Sequence, residues 1–277
     1  MPIITLTTDF GEKDYFAGAV KGAIYSELSD VRIVDISHSV SPFHISEAAY
    51  IIKNAYKSFP KGSIHIIGID SELTPENKHL AVKLDEHFFI CANNGILSLL
   101  AAEINPEKIV EINIHDKIQT NFPVLDVFVK VACHLARGGT LEVIGKNIPE
   151  IKYMREFEPL VNSEKNQILG HVMYIDNYGN VITNISRKLV ETVGKGRDLN
   201  IQARRVNFTE IYETYSHAIN FNIEKEKRME EDGKKLAIFN SGGYVELAIY
   251  KSNPSSVGGA HTLFGLGYLD TVSINFK

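Results

Sequence analysis

Three aspartates stand where apolar runs of the chain end. Asp9 follows Ile3-Ile4-Thr5-Leu6-Thr7-Thr8, Asp70 follows Ile64 to Ile69, and Asp176 follows Val172 to Ile175. A carboxylate offers acceptors and no donor, so it suits a ligand rich in hydroxyl and ammonium hydrogens. A ribose diol presents two such donors side by side. Further polar clusters end other strands: Asn93-Asn94-Gly95, Asn180 with Thr183-Asn184, and Ser241-Gly242-Gly243. Each also has a backbone explanation, because Asn, Asp, Ser and Gly close strands by turn chemistry alone. Asp9 has two open readings, a cap for the helix that begins near Asp14 or a ligand carboxylate. Together, three acceptor groups at strand ends suit a ligand rich in hydroxyl and ammonium donors, such as a nucleoside carrying an amino-acid tail.

Other chemistries lack their residues. The chain has no Gly-x-x-x-x-Gly-Lys-Ser/Thr phosphate loop, no Gly-x-Gly-x-x-Gly, no Gly-x-Ser-x-Gly elbow and no His-Glu-x-x-His. His38 and His44 read as polar loop histidines, and no metal site is expected. Cys91 and Cys133 sit in apolar surroundings and read as small buried thiols. The net charge of -5 supplies no basic field for nucleic acid or an anionic membrane. No run approaches the ~20 apolar residues of a membrane helix. Met-Pro-Ile-Ile-Thr is unlike a signal peptide, so a cytoplasmic protein is expected.

The elements that would position these residues fall into two texts. Up to about residue 160, strand-like and helix-like patterns alternate. Phe16, Ala19, Val20, Ala23 and Ile24 mark an amphipathic helix, and Val31 to Ile36 a strand. A helix capped by Ser46 should end before Pro60. Ile64 to Ile69 has the continuous apolar character of a buried parallel strand. Leu80 to Leu84 and His87 to Cys91 form a predicted hairpin about Asp85-Glu86. A helix over Gly95 to Glu103, a strand over Ile109 to Ile114 and a helix over Asp126 to Arg137 complete the series. The expectation is an α/β N-terminal domain, residues 1–161, with a largely parallel sheet and helices on both faces. Asn162 to Asn166 reads as a linker. Short β-like runs then dominate: Ile168 to Ile175, Val181 to Ile185, Leu199 to Ile201, Leu236 to Phe239, Tyr244 to Tyr250 and Thr271 to Phe276. They predict an all-β, barrel-like C-terminal domain, residues 167–277. The charged run Glu224 to Lys235 reads as a solvated loop or short helix.

Several of these stretches combine into a resemblance that runs through almost the whole chain. Thr8-Asp9-Phe10-Gly11 with Asp14 and Gly18-x-x-Lys21-Gly22 resembles the opening of the S-adenosylmethionine hydroxide adenosyltransferases, the family that includes fluorinases and chlorinases. Val34-Asp35-Ile36-Ser37-His38-x-Val40-x-Pro42, Asn93-Asn94-Gly95-Ile96-Leu97, Asp176-Asn177-Tyr178-Gly179-Asn180 and Asn240-Ser241-x-Gly243-Tyr244-x-Glu246 continue it in order. The resemblance implies S-adenosyl-L-methionine as substrate without a further cofactor, and a homotrimer with sites between subunits. It implies that Asp9 bonds the ribose hydroxyls, leaving Asp14 as the cap. Phe43 would pack on the nucleoside, and Asn94 would lie among the substrate contacts. Asp176 and Asn180 would hold the methionine ammonium, and Ser241 its carboxylate. Backbone near Tyr250 and Lys251 would meet the adenine edge.

The departures fall on catalysis. Hydrolytic members carry an aspartate, an arginine seven residues later, and a histidine in Phe-His-Gly-Arg-Asp. Here Asp70 is kept, the arginine position is Asn77 with Lys78 beside it, and Phe122-Pro123-Val124-Leu125-Asp126 replaces the histidine by Pro123. Asp70, Lys78 and Asn77 are thus the candidate catalytic residues. The leading expectation is hydrolysis of S-adenosylmethionine to adenosine and methionine. Two alternatives stay open: a weak or inactive S-adenosylmethionine- or adenosine-binding protein, and a 5′-adenosyl transferase with another nucleophile.

Overall fold

The structure is a computed structural model and describes residues 2–102, 104–114 and 120–277. The chain divides into two compact units, residues 1–156 and 157–277.

The first unit is built on β1 (Ile3–Thr8), α1 (Phe16–Glu27), β2 (Arg32–Ser37), α2 (Ile45–Ala55), β3 (Ile64–Gly68), β4 (His79–Leu84) and β5 (His87–Ala92). It continues with α3 (Ile96–Leu100), β6 (Lys108–Ile112), α4 (Val129–Ala136) and β7 (Gly145–Asn147). Seven strands form one sheet in the order β2-β1-β3-β5-β4-β6-β7. Pairing is parallel from β2 to β5. The β4–β5 hairpin then reverses the chain, with Asp85 and Glu86 in left-handed conformation at its turn, and the remaining edge is antiparallel.

Strand alternation feeds two cores. Ile4, Leu6, Ile64 and Ile66 pack on one face with Val20 and Ile24 of α1 and Val129, Val131 and Ala132 of α4. Ile67, Ile69, Leu80, Val82 and Phe89 pack on the other with Ala48 and Ile52 of α2 and Leu97 of α3. Both faces are therefore covered, and β3 is buried at every position. Each fully buried isoleucine here contributes roughly 1.5–3 kcal/mol.

Three local expectations are corrected. Neither Asp9 nor Asp14 caps α1, which opens after Tyr15 with no side-chain cap. The cap of α2 is His44, whose ring accepts from the Glu47 amide, and not Ser46. The helix expected from Asp126 begins two residues early, as a π-turn over Val124–Phe128 that runs into α4. Pro123 starts that turn, where a missing N–H costs nothing. In the expected helix from Gly95, Ile96–Leu100 is helical and Glu103 lies outside the described residues.

The second unit holds β8 (Leu160–Val161), β9 (Gln167–Ile175), β10 (Val181–Ser186), α5 (Arg187–Gly194), β11 (Leu199–Ala203) and β12 (Val206–Phe208). It ends with α6 (Tyr215–Ala218), β13 (Lys235–Phe239), β14 (Tyr244–Ile249), α7 (Ala260–Phe264) and β15 (Thr271–Phe276). Its sheet is antiparallel, in the order β12-β11-β15-β9-β10-β14-β13, with β8 paired to β9, and it curls into a nearly closed barrel. Its own core includes Ile168, Val172, Val181, Val245, Leu247 and Ile274. Asn162 to Asn166 is the turn of the β8–β9 hairpin rather than a linker. The Asn162 side chain accepts from the Asn166 and Gln167 amides and closes it.

Candidate functional site

Parallel pairing sets the carboxyl ends of β1 and β3 side by side, with Thr8 opposite Gly68. The residues just beyond them, Asp9 and Asp70, therefore emerge at the same edge, where open α/β sheets hold ligands. A cleft of about 610 Å³ opens there, within the range of small-molecule sites. Asp9, Phe10, Phe16, Pro42, Phe43, Asp70, Ser71, Glu72, Thr120, Asn121, Phe122 and Pro123 line it. Gly68 permits the walls to meet: a Cβ there would lie 3.0 Å from Val124, 3.1 Å from Thr8 and 3.2 Å from Phe10.

One wall is aromatic. Phe10, Phe16 and Phe122 contact one another with ring centroids 5.3 to 5.7 Å apart. Phe43 also lines the cleft and is exposed over 72% of its surface. Its backbone has φ 61°, a left-handed conformation that costs a non-glycine residue roughly 1–2 kcal/mol. The Asp9 carboxylate holds it there by accepting the Phe43 N–H at 2.8 Å. Burial pushes the Asp9 carboxyl above its ordinary value; the Phe43 amide pulls it back, and the neighbouring Asp70 charge raises it further.

Asp70 is also left-handed, with φ 43°. Its carboxylate accepts a long bond, 3.4 Å, from the Asn77 amide. The Thr74 hydroxyl fixes the loop between them by accepting from the Glu76 and Asn77 backbones. Among the described residues that line the cleft, the charged ones are Asp9, Asp70 and Glu72, and none is basic. Lys78 is not among them; its carbonyl accepts from Asn93. Asn94 is buried, donates to the Ile69 carbonyl and accepts from the Ile96 amide, tying β3 to α3. His38 is bonded to Thr8 and lies 3.1 Å from Asp35. No group of three or more His, Cys, Asp or Glu among the described residues is arranged to hold a metal ion.

The second unit gathers another polar cluster. Asp176 accepts from the Tyr178 and Asn180 amides and from the Asn180 side chain at 3.0 Å. The Asn180 amide also reaches the Tyr215 hydroxyl at 3.0 Å, and that hydroxyl donates to Glu246. Glu246 is buried, which pushes its carboxyl up, and the Asp176 charge adds to this; burial raises the Tyr215 hydroxyl too. Ser241 is exposed in the β13–β14 turn, which Asn240 closes by accepting from Gly242 and Tyr244. Tyr250 packs beside Leu236 and Ala248, and the Lys251 ammonium lies 3.0 Å from Asp232.

Of the sequence candidates, Asp9, Phe43 and Asp70 thus share one cleft with Asn77 at its edge, and Asp176 and Asn180 form a second cluster. Sequence reasoning missed the Phe10-Phe16-Phe122 wall, Glu72 and Tyr215. Phe10 and Phe16 flank the first aspartate's loop and were readable; nothing local marks Tyr215.

A carboxylate-lined, aromatic-walled cleft on an α/β unit, followed by a β-barrel unit, defines a small-molecule protein of two domains. The sequence models of the SAM hydroxide adenosyltransferase N-terminal and C-terminal domains match residues 4–145 and 170–273, and the chain belongs to that family. It is 28% identical over 281 residues to an (R)-S-adenosyl-L-methionine hydrolase of Methanocaldococcus jannaschii, covering 99% of this chain and 96% of the relative. It is 24% identical over 230 residues to a fluorinase of Actinopolyspora mzabensis, covering 73% and 77%. The fold matches the crystal structure of an uncharacterized conserved protein from Thermotoga maritima, with a TM-score of 0.82, 24% identity, and 99% and 100% of the two chains covered.

Proposed function

We propose that this protein hydrolyses S-adenosyl-L-methionine to adenosine and L-methionine. A water oxygen attacks the ribose 5′ carbon while the bond from that carbon to sulfur breaks. The electron pair goes to sulfur, which leaves as a neutral thioether and needs no acid, and the water proton is released. What the protein must supply is a positioned nucleophile and a cavity that prefers a cation. Asp70 orients the water and receives its proton, Asp9 accepts the ribose diol, and Phe43 packs on the nucleoside. Asp176, Asn180 and Ser241 take the methionine end, with backbone near Tyr250 and Lys251 at the adenine. The assembly proposed is a cytoplasmic homotrimer, to be checked by sedimentation.

The observation that carries this reading is the charge of the cleft. Its described lining bears carboxylates and no basic side chain, which suits a sulfonium substrate and neutral water but disfavours a halide. Pure protein incubated with S-adenosylmethionine should release adenosine and methionine in equal amounts, seen by chromatography. Added chloride or fluoride should yield no 5′-halogenated nucleoside. No adenosine above a heat-treated control, at high protein concentration, would refute the reading. A second reading, binding without turnover, is favoured by Pro123 and Phe122, which give that wall no proton acceptor. Calorimetric binding without adenosine release would select it.

A further inference from the structure

Lys152 lies far in sequence from Asp70 and Asn77, yet its side chain reaches Asn77 at the cleft's edge. Its ammonium donates to the Asn77 side-chain oxygen at 3.2 Å. The same Asn77 side chain donates through nitrogen to Asp70 at 3.4 Å. The Lys152 backbone is held separately, its N–H donated to the Asn93 side chain at 2.8 Å. An ammonium can only donate and a carboxylate can only accept. With one on either side, the Asn77 amide has a single satisfied orientation, oxygen toward Lys152 and N–H toward Asp70. Reversed, it would face oxygen to carboxylate and N–H to ammonium.

We propose that Lys152 is a positioning residue for Asp70, acting through the amide of Asn77. The donor that meets Asp70 and the positive charge behind it sit on two residues from distant parts of the chain. The amide is polarised by the ammonium, which strengthens the N–H it presents to the carboxylate. Asp70 is thereby held toward the cleft in its left-handed backbone conformation, with its other oxygen left for a water. Lys78, adjacent in sequence to Asn77, is not needed for this arrangement. The catalytic consequence rests on the proposed hydrolysis; the contact itself does not.

Two measurements separate the contact from the reaction. In Lys152→Met the backbone bond to Asn93 is retained and only the ammonium is lost. The side-chain amide signals of Asn77, assigned in a ¹⁵N spectrum by Asn77→Leu, should shift in Lys152→Met and return toward their wild-type positions in Lys152→Arg. Unmoved signals would overturn the proposal whether or not the protein turns over. In adenosine release, Lys152→Met should lower kcat roughly five-fold, the scale of an exposed charged contact, with KM little changed. Lys152→Arg should restore it. In an Asn77→Leu background the same Lys152→Met change should cost nothing further, because the path to Asp70 is already cut. A loss that persists undiminished in that background, or no loss at all, would overturn the positioning role. Wild-type protein that releases no adenosine refutes the hydrolysis reading instead, and leaves the Asn77 signals to judge the contact.

Discussion

Phe43→Gly separates what a residue does for the fold from what it does for a ligand. Phe43 is 72% exposed, so removing its ring uncovers little buried surface. Its φ of 61° suits glycine, and the change should relieve about 1 kcal/mol of left-handed strain. Against this, glycine loses roughly 0.5–1 kcal/mol more chain entropy on folding. The backbone N–H survives, so Asp9 keeps its 2.8 Å partner. The two effects nearly cancel, and Tm should move by no more than about 4 °C in a protein of this size. Stacking of an aromatic side chain on a base is worth roughly 1–3 kcal/mol, so nucleoside affinity should fall about 5- to 150-fold. Calorimetric titration with S-adenosylmethionine and adenosine, beside a thermal melt, measures both. An unchanged affinity would refute the role given to Phe43. A Tm loss of about ten degrees or more would refute the view that its conformation serves the cleft rather than the fold.

Three more perturbations probe the same geometry. Asp70→Asn should lower adenosine release by roughly 10²- to 10⁴-fold while calorimetry shows substrate binding retained. Asp9 has a raised carboxyl pKa, so the native chain keeps its proton at a pH where the unfolded chain has released it. Its contribution to stability therefore falls as pH rises through that window, while its strength as a diol acceptor rises. Nucleoside affinity should fall on acidification with a midpoint above 3.8, and the fall should be absent in Asp9→Asn. Tyr215→Phe removes the hydroxyl that donates to buried Glu246 and should destabilise the second unit by roughly 1–3 kcal/mol, read as a lower urea midpoint.

Much of the frame was legible because it rests on local pattern. The apolar run of β3 and the turn at Asp85-Glu86 carry their own signals, and so the strand-end aspartates were found. Elements too short for a period were not: β8 has two residues, and its turn therefore reads as a linker. Helix starts were misjudged where the cap is unusual, at Tyr15 and His44. At the site, residue types were readable but conformations and distant partners were not. Nothing in Pro42-Phe43 announces a left-handed phenylalanine, which exists because Asp9 is brought to its amide by the loops after β1 and β2. Lys152 joins Asn77 only through a loop that docks on Asn93. These are tertiary facts, and no window of sequence contains them.

The carboxylate lining of the cleft also governs how products leave. On the proposed reaction the substrate enters with a net positive charge, while adenosine is neutral and methionine is a zwitterion. The electrostatic hold exerted by Asp9, Asp70 and Glu72 is therefore cancelled by the step it assists. The products are no longer retained by the field that drew the substrate in. Binding of adenosine should thus be indifferent to salt, whereas capture of the substrate should weaken as ionic strength rises. A cleft charged in this way favours release because the reaction itself discharges its ligand.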